Sequence, residues 1–82
     1  MKDIEKLTDE HIEDVYKRIG LNVKNARKEK GVSQLQLSQA IGHKSVTMIS
    51  HCEIYLRNHH FNIEHLVKIA YVLDIELNDL LK

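Results

Sequence analysis

"GVSQLQLSQAIGHKSVTMISHCE", residues 31–53, reads as two short amphipathic helices joined by a turn centred on Gly42. Ser33 is placed to cap the first, which carries Leu37 and Ile41 and stops at Gly42. Ser45 opens the second, where Ile49 and Cys52 share a face. Helices this short are not stable alone, because nucleating a turn fixes more backbone than its few hydrogen bonds offset. They need a bundle to pack on.

The flanking sequence supplies one. Upstream, Thr8 can cap a long helix whose apolar residues Ile12, Val15, Ile19, Val23 and Ala26 recur at helical spacing as far as Gly31. Downstream, "IYLRNHH" (54–60) has no periodicity and reads as a loop. Asn62 then caps a fourth helix bearing Ile63, Leu66, Val67, Ile69, Ala70 and Leu73. Asp74 to Lys82 supplies a short fifth, with Leu77, Leu80 and Leu81 closing the core. Proline is absent and glycine occurs only three times, so an all-α bundle of five helices is expected. At 82 residues and 43% hydrophobic content the chain makes one small domain, burying about 60–65% of its unfolded surface. No repeat, low-complexity stretch or linker divides it.

The formal net charge is zero, but it is unevenly spread. Residues 1–16 hold two lysines against six carboxylates, a net −4; residues 17–60 hold eight Lys or Arg against Glu29 and Glu53, a net +6; residues 61–82 stand at −2. A basic middle between acidic flanks suggests a surface that faces a polyanion. No apolar run reaches the roughly 18 residues of a membrane span, and the acidic N-terminus does not have the pattern of a signal peptide. A cytoplasmic protein with no membrane association is expected. One cysteine excludes an internal disulfide and a multi-cysteine zinc knuckle. The six histidines show neither an HExxH pattern nor His-plus-Cys spacing, so no metal and no cofactor is expected. Cys52 shares the buried face of Ile49 and no serine lies in a strained elbow, which argues against an enzyme.

Two short helices joined by a tight turn of three or four residues, set on a bundle, let the second project its N-terminal half into a DNA major groove. Residues 19–81 resemble the helix-turn-helix domain of the phage repressor, Cro and XRE family. The resemblance is carried by Arg27 before "KGVSQ", Leu37, Ile41-Gly42, "MIS" at 48–50, Glu53 and "KIAYVLDIELNDLL" at 68–81. It implies a compact five-helix bundle of the lambda-repressor-like type over residues 19–82. Residues 1–18 then form an N-terminal helical extension and the start of the first helix. The chain departs from the family pattern in places. The turn before Ile49 is one residue longer, and Ser38 replaces an alanine at the helix crossing. Tyr55 stands where a glycine is usual, and Phe61 where a proline is.

The resemblance also implies a function and its residues. Gln34 matches a glutamine that touches a phosphate. Outward positions counted from Ile49 are Ser45, Val46, Thr47, Ser50 and His51, the candidates for base contact. Lys44, Arg57, Asn58 and His59 flank them as candidates for phosphate contact. Arg27 and Glu53 match positions that form a partly buried ion pair. The function implied is a sequence-specific DNA-binding transcriptional regulator, resembling a compact repressor, with operator DNA as partner and a recognition helix at about 45–53. A homodimer is expected through Ile4, Leu7, Tyr16 and Leu21, or through Leu77 and Leu81. The alternative is an antitoxin-like module that binds a second protein through exposed Leu35, Tyr55 and Leu56 and also binds its own promoter.

Overall fold

Local side-chain caps set where each helix starts. In the computed structural model, which describes all 82 residues, Thr8 Oγ1 accepts the His11 N–H at 3.1 Å, and α1 runs over Asp9–Glu29. Ser33 and Gln36 form a reciprocal capping box at 3.0 and 2.8 Å that opens α2, Gln34–Ala40. Ser45 Oγ accepts the Thr47 N–H at 3.2 Å and opens α3, Val46–Glu53. Asn62 Oδ1 accepts the His65 N–H at 2.7 Å, while His65 Nδ1 accepts the Asn62 N–H at 3.1 Å, and α4 spans Ile63–Leu73. The chain turns at Asp74, in the left-handed region, into α5, Leu77–Leu81. Single 3-10 turns occupy Ile4–Lys6 and Leu56–Asn58, the second inside the stretch expected as loop.

The segment from Ile41 to Ser45 is five residues long, longer than the three or four expected. It stays tight because Gly42 adopts φ 75° and because Ser38 clasps it. Ser38 Oγ donates to the His43 carbonyl at 3.1 Å and the Ser38 carbonyl accepts the His43 N–H at 2.9 Å. An alanine at the crossing would lose the first of these bonds.

α1 packs on α3, α4 and α5; α2 packs on α3 and α4. Val23, Leu37, Ile49, Leu66, Ile69 and Leu80 fill the centre, ringed by Ile41, Cys52, Phe61, Ala70 and Leu73. Asn22 ties the end of α5 to α1 by donating to the carbonyls of Leu80 and Lys82, each at 3.1 Å. Several expected core positions lie outside. Ile12 is exposed, as are Ile63, Val67 and Leu81. Leu80 alone of the last three leucines is buried, because a five-residue helix offers the core little more than one position per turn. The division anticipated at 18/19 falls within α1, which runs through it without a break.

Candidate nucleic-acid interface

Two close contacts hold α3. α1 crosses its C-terminal end at Gly20, where an added Cβ would stand 2.5 Å from the Cys52 carbonyl oxygen and 2.6 Å from that of Glu53. Only glycine permits this approach. Two turns along α1, Arg27 makes a bidentate pair with Glu53: Nε donates to Oε2 at 2.8 Å and Nη2 to Oε1 at 3.1 Å. Both side chains are buried. Arg27 Nη1 also donates to the Val32 carbonyl at 2.9 Å, and Gln34 Nε2 donates to Glu53 Oε1 at 3.0 Å. One carboxylate thus joins α1, the start of α2 and the end of α3. No buried side-chain polar atom is left without a partner.

With its inner face fixed by Ile49 and Cys52, α3 turns the opposite face outward. Ser45, Val46 and Thr47 are exposed at its N-terminal end, while Ser50 and His51 are half-buried one turn further on. The Ser50 hydroxyl donates to the Thr47 carbonyl at 3.0 Å, which leaves its oxygen as an acceptor. Lys44 is exposed beside the N-terminal end. The 56–58 turn packs on α3 and brings Arg57, Asn58 and His59 alongside, all exposed, with the His59 ring 5.4 Å from that of His51. Gln34 is half-buried, its amide committed on one side to Glu53.

The loop after α3 keeps left-handed geometry without the usual glycine. Tyr55 (φ 54°), Arg57 (φ 51°) and Asn58 (φ 66°) all occupy that region, at about 1–3 kcal/mol each for side chains that are not glycine. Aromatic stacking offsets part of this. The Tyr16 ring lies 5.6 Å from that of Tyr55 and 4.1 Å from that of His60, worth about 0.5–1.5 kcal/mol per pair. Tyr55, expected as an exposed partner-binding residue, is therefore half-buried against α1; Leu35 and Leu56 are exposed as expected. Of the residues anticipated for dimer contact, Ile4, Leu7, Leu21 and Leu81 are exposed, whereas Tyr16 and Leu77 are half-buried.

Gly20 had no assigned role in the sequence, although a lone glycine on the core face of a long helix signals a close crossing; Tyr16, expected at a dimer surface, instead stacks on Tyr55 and His60. Burial pushes the Cys52 thiol above its ordinary range, which keeps it protonated and unreactive. Histidines meet only in pairs, His51 with His59 and His43 with His65, and no three metal-ligating side chains converge. No helix is long and apolar enough to cross a membrane.

The arrangement presents hydroxyls, a methyl-bearing side chain and an imidazole on one short rigid helix, with Lys44 and Arg57 at its sides. Such a set can donate to and accept from base edges while cations meet phosphates. No curated protein matches the chain. Residues 23–80, more than half of its length, match the family model described as helix-turn-helix, and α2 and α3 fall within that match. With its five helices and no strand, the chain belongs to the XRE/Cro-like helix-turn-helix family of DNA-binding regulators.

Proposed function

We propose that the chain is a sequence-specific transcriptional regulator of the repressor type that acts in the cytoplasm and reads operator DNA by inserting α3 into the major groove. The observation that carries this reading is the outward face of α3, held by the buried Arg27–Glu53–Gln34 network with no polar partner of its own beyond Ser45 and Ser50. Ser45, Val46, Thr47, Ser50 and His51 meet base edges: the hydroxyls and imidazole by hydrogen bonds, Val46 by contact with a thymine methyl. Gln34, Lys44, Arg57, Asn58 and His59 meet phosphates and set the register. Because no arginine, asparagine or glutamine lies on this face, bidentate base readout is absent and each base contact is weak. Two copies acting on half-sites about 34 Å apart supply the missing affinity. Residues 1–18, the N-terminal turn and the start of α1, are an extension to the regulator domain at 19–82.

Selection of bound sequences from a random duplex pool tests the reading. A two-fold consensus, bound more tightly than random DNA at equal salt, is the expected result. Recovery of no enriched sequence would overturn it. A second reading, an antitoxin-like module, rests on Leu35 and Leu56, which are exposed. Co-purification of a second protein, lost on Leu35→Ser, would favour it.

A further inference from the structure

α4 carries a row of side chains that neither the core nor the DNA-binding reading uses. Ile63, Val67 and Tyr71 stand at successive i, i+4 positions on one face, and are 64, 49 and 86% exposed. Leu66, Ile69, Ala70 and Leu73 on the same helix are the residues that enter the core. The row forms an apolar ridge on the order of 300 Å². Beside it run Glu64 and Lys68, exposed and paired with each other at 3.3 Å. One carboxylate and one ammonium give this flank no cationic excess to suit a phosphate backbone.

We propose that this ridge docks a second copy of the chain, antiparallel, about a two-fold axis at Val67; this rests on the reading of the protein as a two-fold regulator. With the axis at Val67, that residue meets Val67 of the second copy and Ile63 lies toward its Tyr71. The charges choose the orientation. An antiparallel axis keeps both charged flanks on one side of the interface and sets Glu64 of one copy toward Lys68 of the other, twice, whereas a parallel axis would carry the two flanks to opposite sides and lose that pairing. Of the residues anticipated for dimer contact, Ile4 and Leu7 sit on the N-terminal turn, Tyr16 and Leu77 are half-buried, and Leu21 and Leu81 are exposed on two different helices. Two such ridges with their flanks bury less than the roughly 1,200 Å² of a small stable interface. The dimer is therefore weak in free solution and completed when one operator holds both copies.

Sedimentation of the full chain, with and without a duplex bearing two selected half-sites, provides the test. Tyr71→Ser and Val67→Asp should each weaken self-association by about tenfold or more with unchanged circular dichroism. Tyr71 is too exposed for its loss to unfold the domain. Glu64→Lys and Lys68→Glu should each weaken it too. A mixture of those two variants should form mixed dimers about tenfold tighter than either variant alone. Both variants have lost the pairing within the helix, so the recovery can come only from across the interface. Self-association unchanged in Tyr71→Ser and Val67→Asp, a mixture no tighter than its components, or a monomer under all conditions would each overturn the proposal. Binding to a single half-site, unaffected by Tyr71→Ser, is measured separately. A protein that dimerises through the ridge but binds no DNA would fail the regulator reading and leave the ridge standing.

Discussion

Gly20→Ala is a substitution for which helix propensity and packing predict opposite signs. In an isolated helix, alanine is favoured over glycine by about 1 kcal/mol. At this crossing the new methyl would lie 2.5 Å from the Cys52 oxygen and 2.6 Å from the Glu53 oxygen, where ordinary contact begins near 3.4 Å. Both obstacles are backbone atoms, so no rotamer change relieves them and the end of α3 must recede by most of an ångström. Overpacking of this kind costs about 1–3 kcal/mol. The recession also stretches the 2.8 and 3.1 Å bonds from Arg27 to Glu53. Breaking a buried pair outright costs about 3–5 kcal/mol, and partial stretching takes a fraction of that. Subtracting the propensity gain leaves a net loss of about 2–4 kcal/mol, or a fall in Tm on the order of 10–20 °C for a domain of this size. Thermal and urea unfolding followed by circular dichroism measure it. Asn25→Ala, on the exposed side of the same helix, is the control and should be neutral or slightly stabilising. A Gly20→Ala protein as stable as the parent would refute the reasoning, because the crossing could then open without consequence.

Glu53→Gln should lower Tm clearly, since it leaves the Arg27 guanidinium buried with its charge uncompensated; equal stability of Glu53→Gln and Arg27→Met to the parent would show that the pair contributes nothing. Stability should also fall as pH drops through the His65 transition. Burial, and next the neighbouring His43, hold that imidazole below its ordinary value of 6.5, so the unfolded chain takes up the proton first. The contribution is complete above about 6.5 and is lost below it, with a slope of at most about 1.4 kcal/mol per pH unit. Urea midpoints across this range should show the loss, and His65→Gln should flatten it. In the interface, Thr47→Ala and His51→Gln should reduce operator binding more than random-DNA binding, by up to about 1–3 kcal/mol each. Lys44→Ala should weaken both DNAs alike and reduce the salt slope by about one unit; an unchanged operator-to-random ratio in the first two variants would remove α3 from base reading. Arg57→Gly should separate the fold from its activity: glycine relieves the left-handed backbone at φ 51°, so Tm should hold or rise, while binding to every duplex weakens.

Helix starts were legible because each cap acts within three residues of sequence. Thr8, Ser33, Ser45 and Asn62 all accept the backbone N–H expected of them. The outward face of α3 was legible for a similar reason, since counting from Ile49 fixes which positions point away from the core. Where an apolar face ends was not legible. Periodicity shows that Ile12, Ile63 and Val67 share a face with core residues, but not whether anything stands opposite them. The 54–60 loop was equally closed to sequence, because Tyr55 holds a glycine's conformation by stacking on Tyr16, 39 positions away in the chain. Gln34 shows both sides. Its place at the start of α2 follows from Ser33, yet its bond to Glu53 joins residues 19 apart and needs the folded chain.

That bond has a thermodynamic consequence. A free glutamine side chain gives up about 1.5–2 kcal/mol of rotamer freedom when it is immobilised. In this fold Glu53 already holds the Gln34 amide by one of its two hydrogens, so the entropy is lost when the chain folds and not when a ligand arrives. In the proposed interface the second hydrogen meets a phosphate oxygen from a side chain that is already still, and a change at Glu53 would there be felt as a weaker, more entropically opposed contact at a group it never touches.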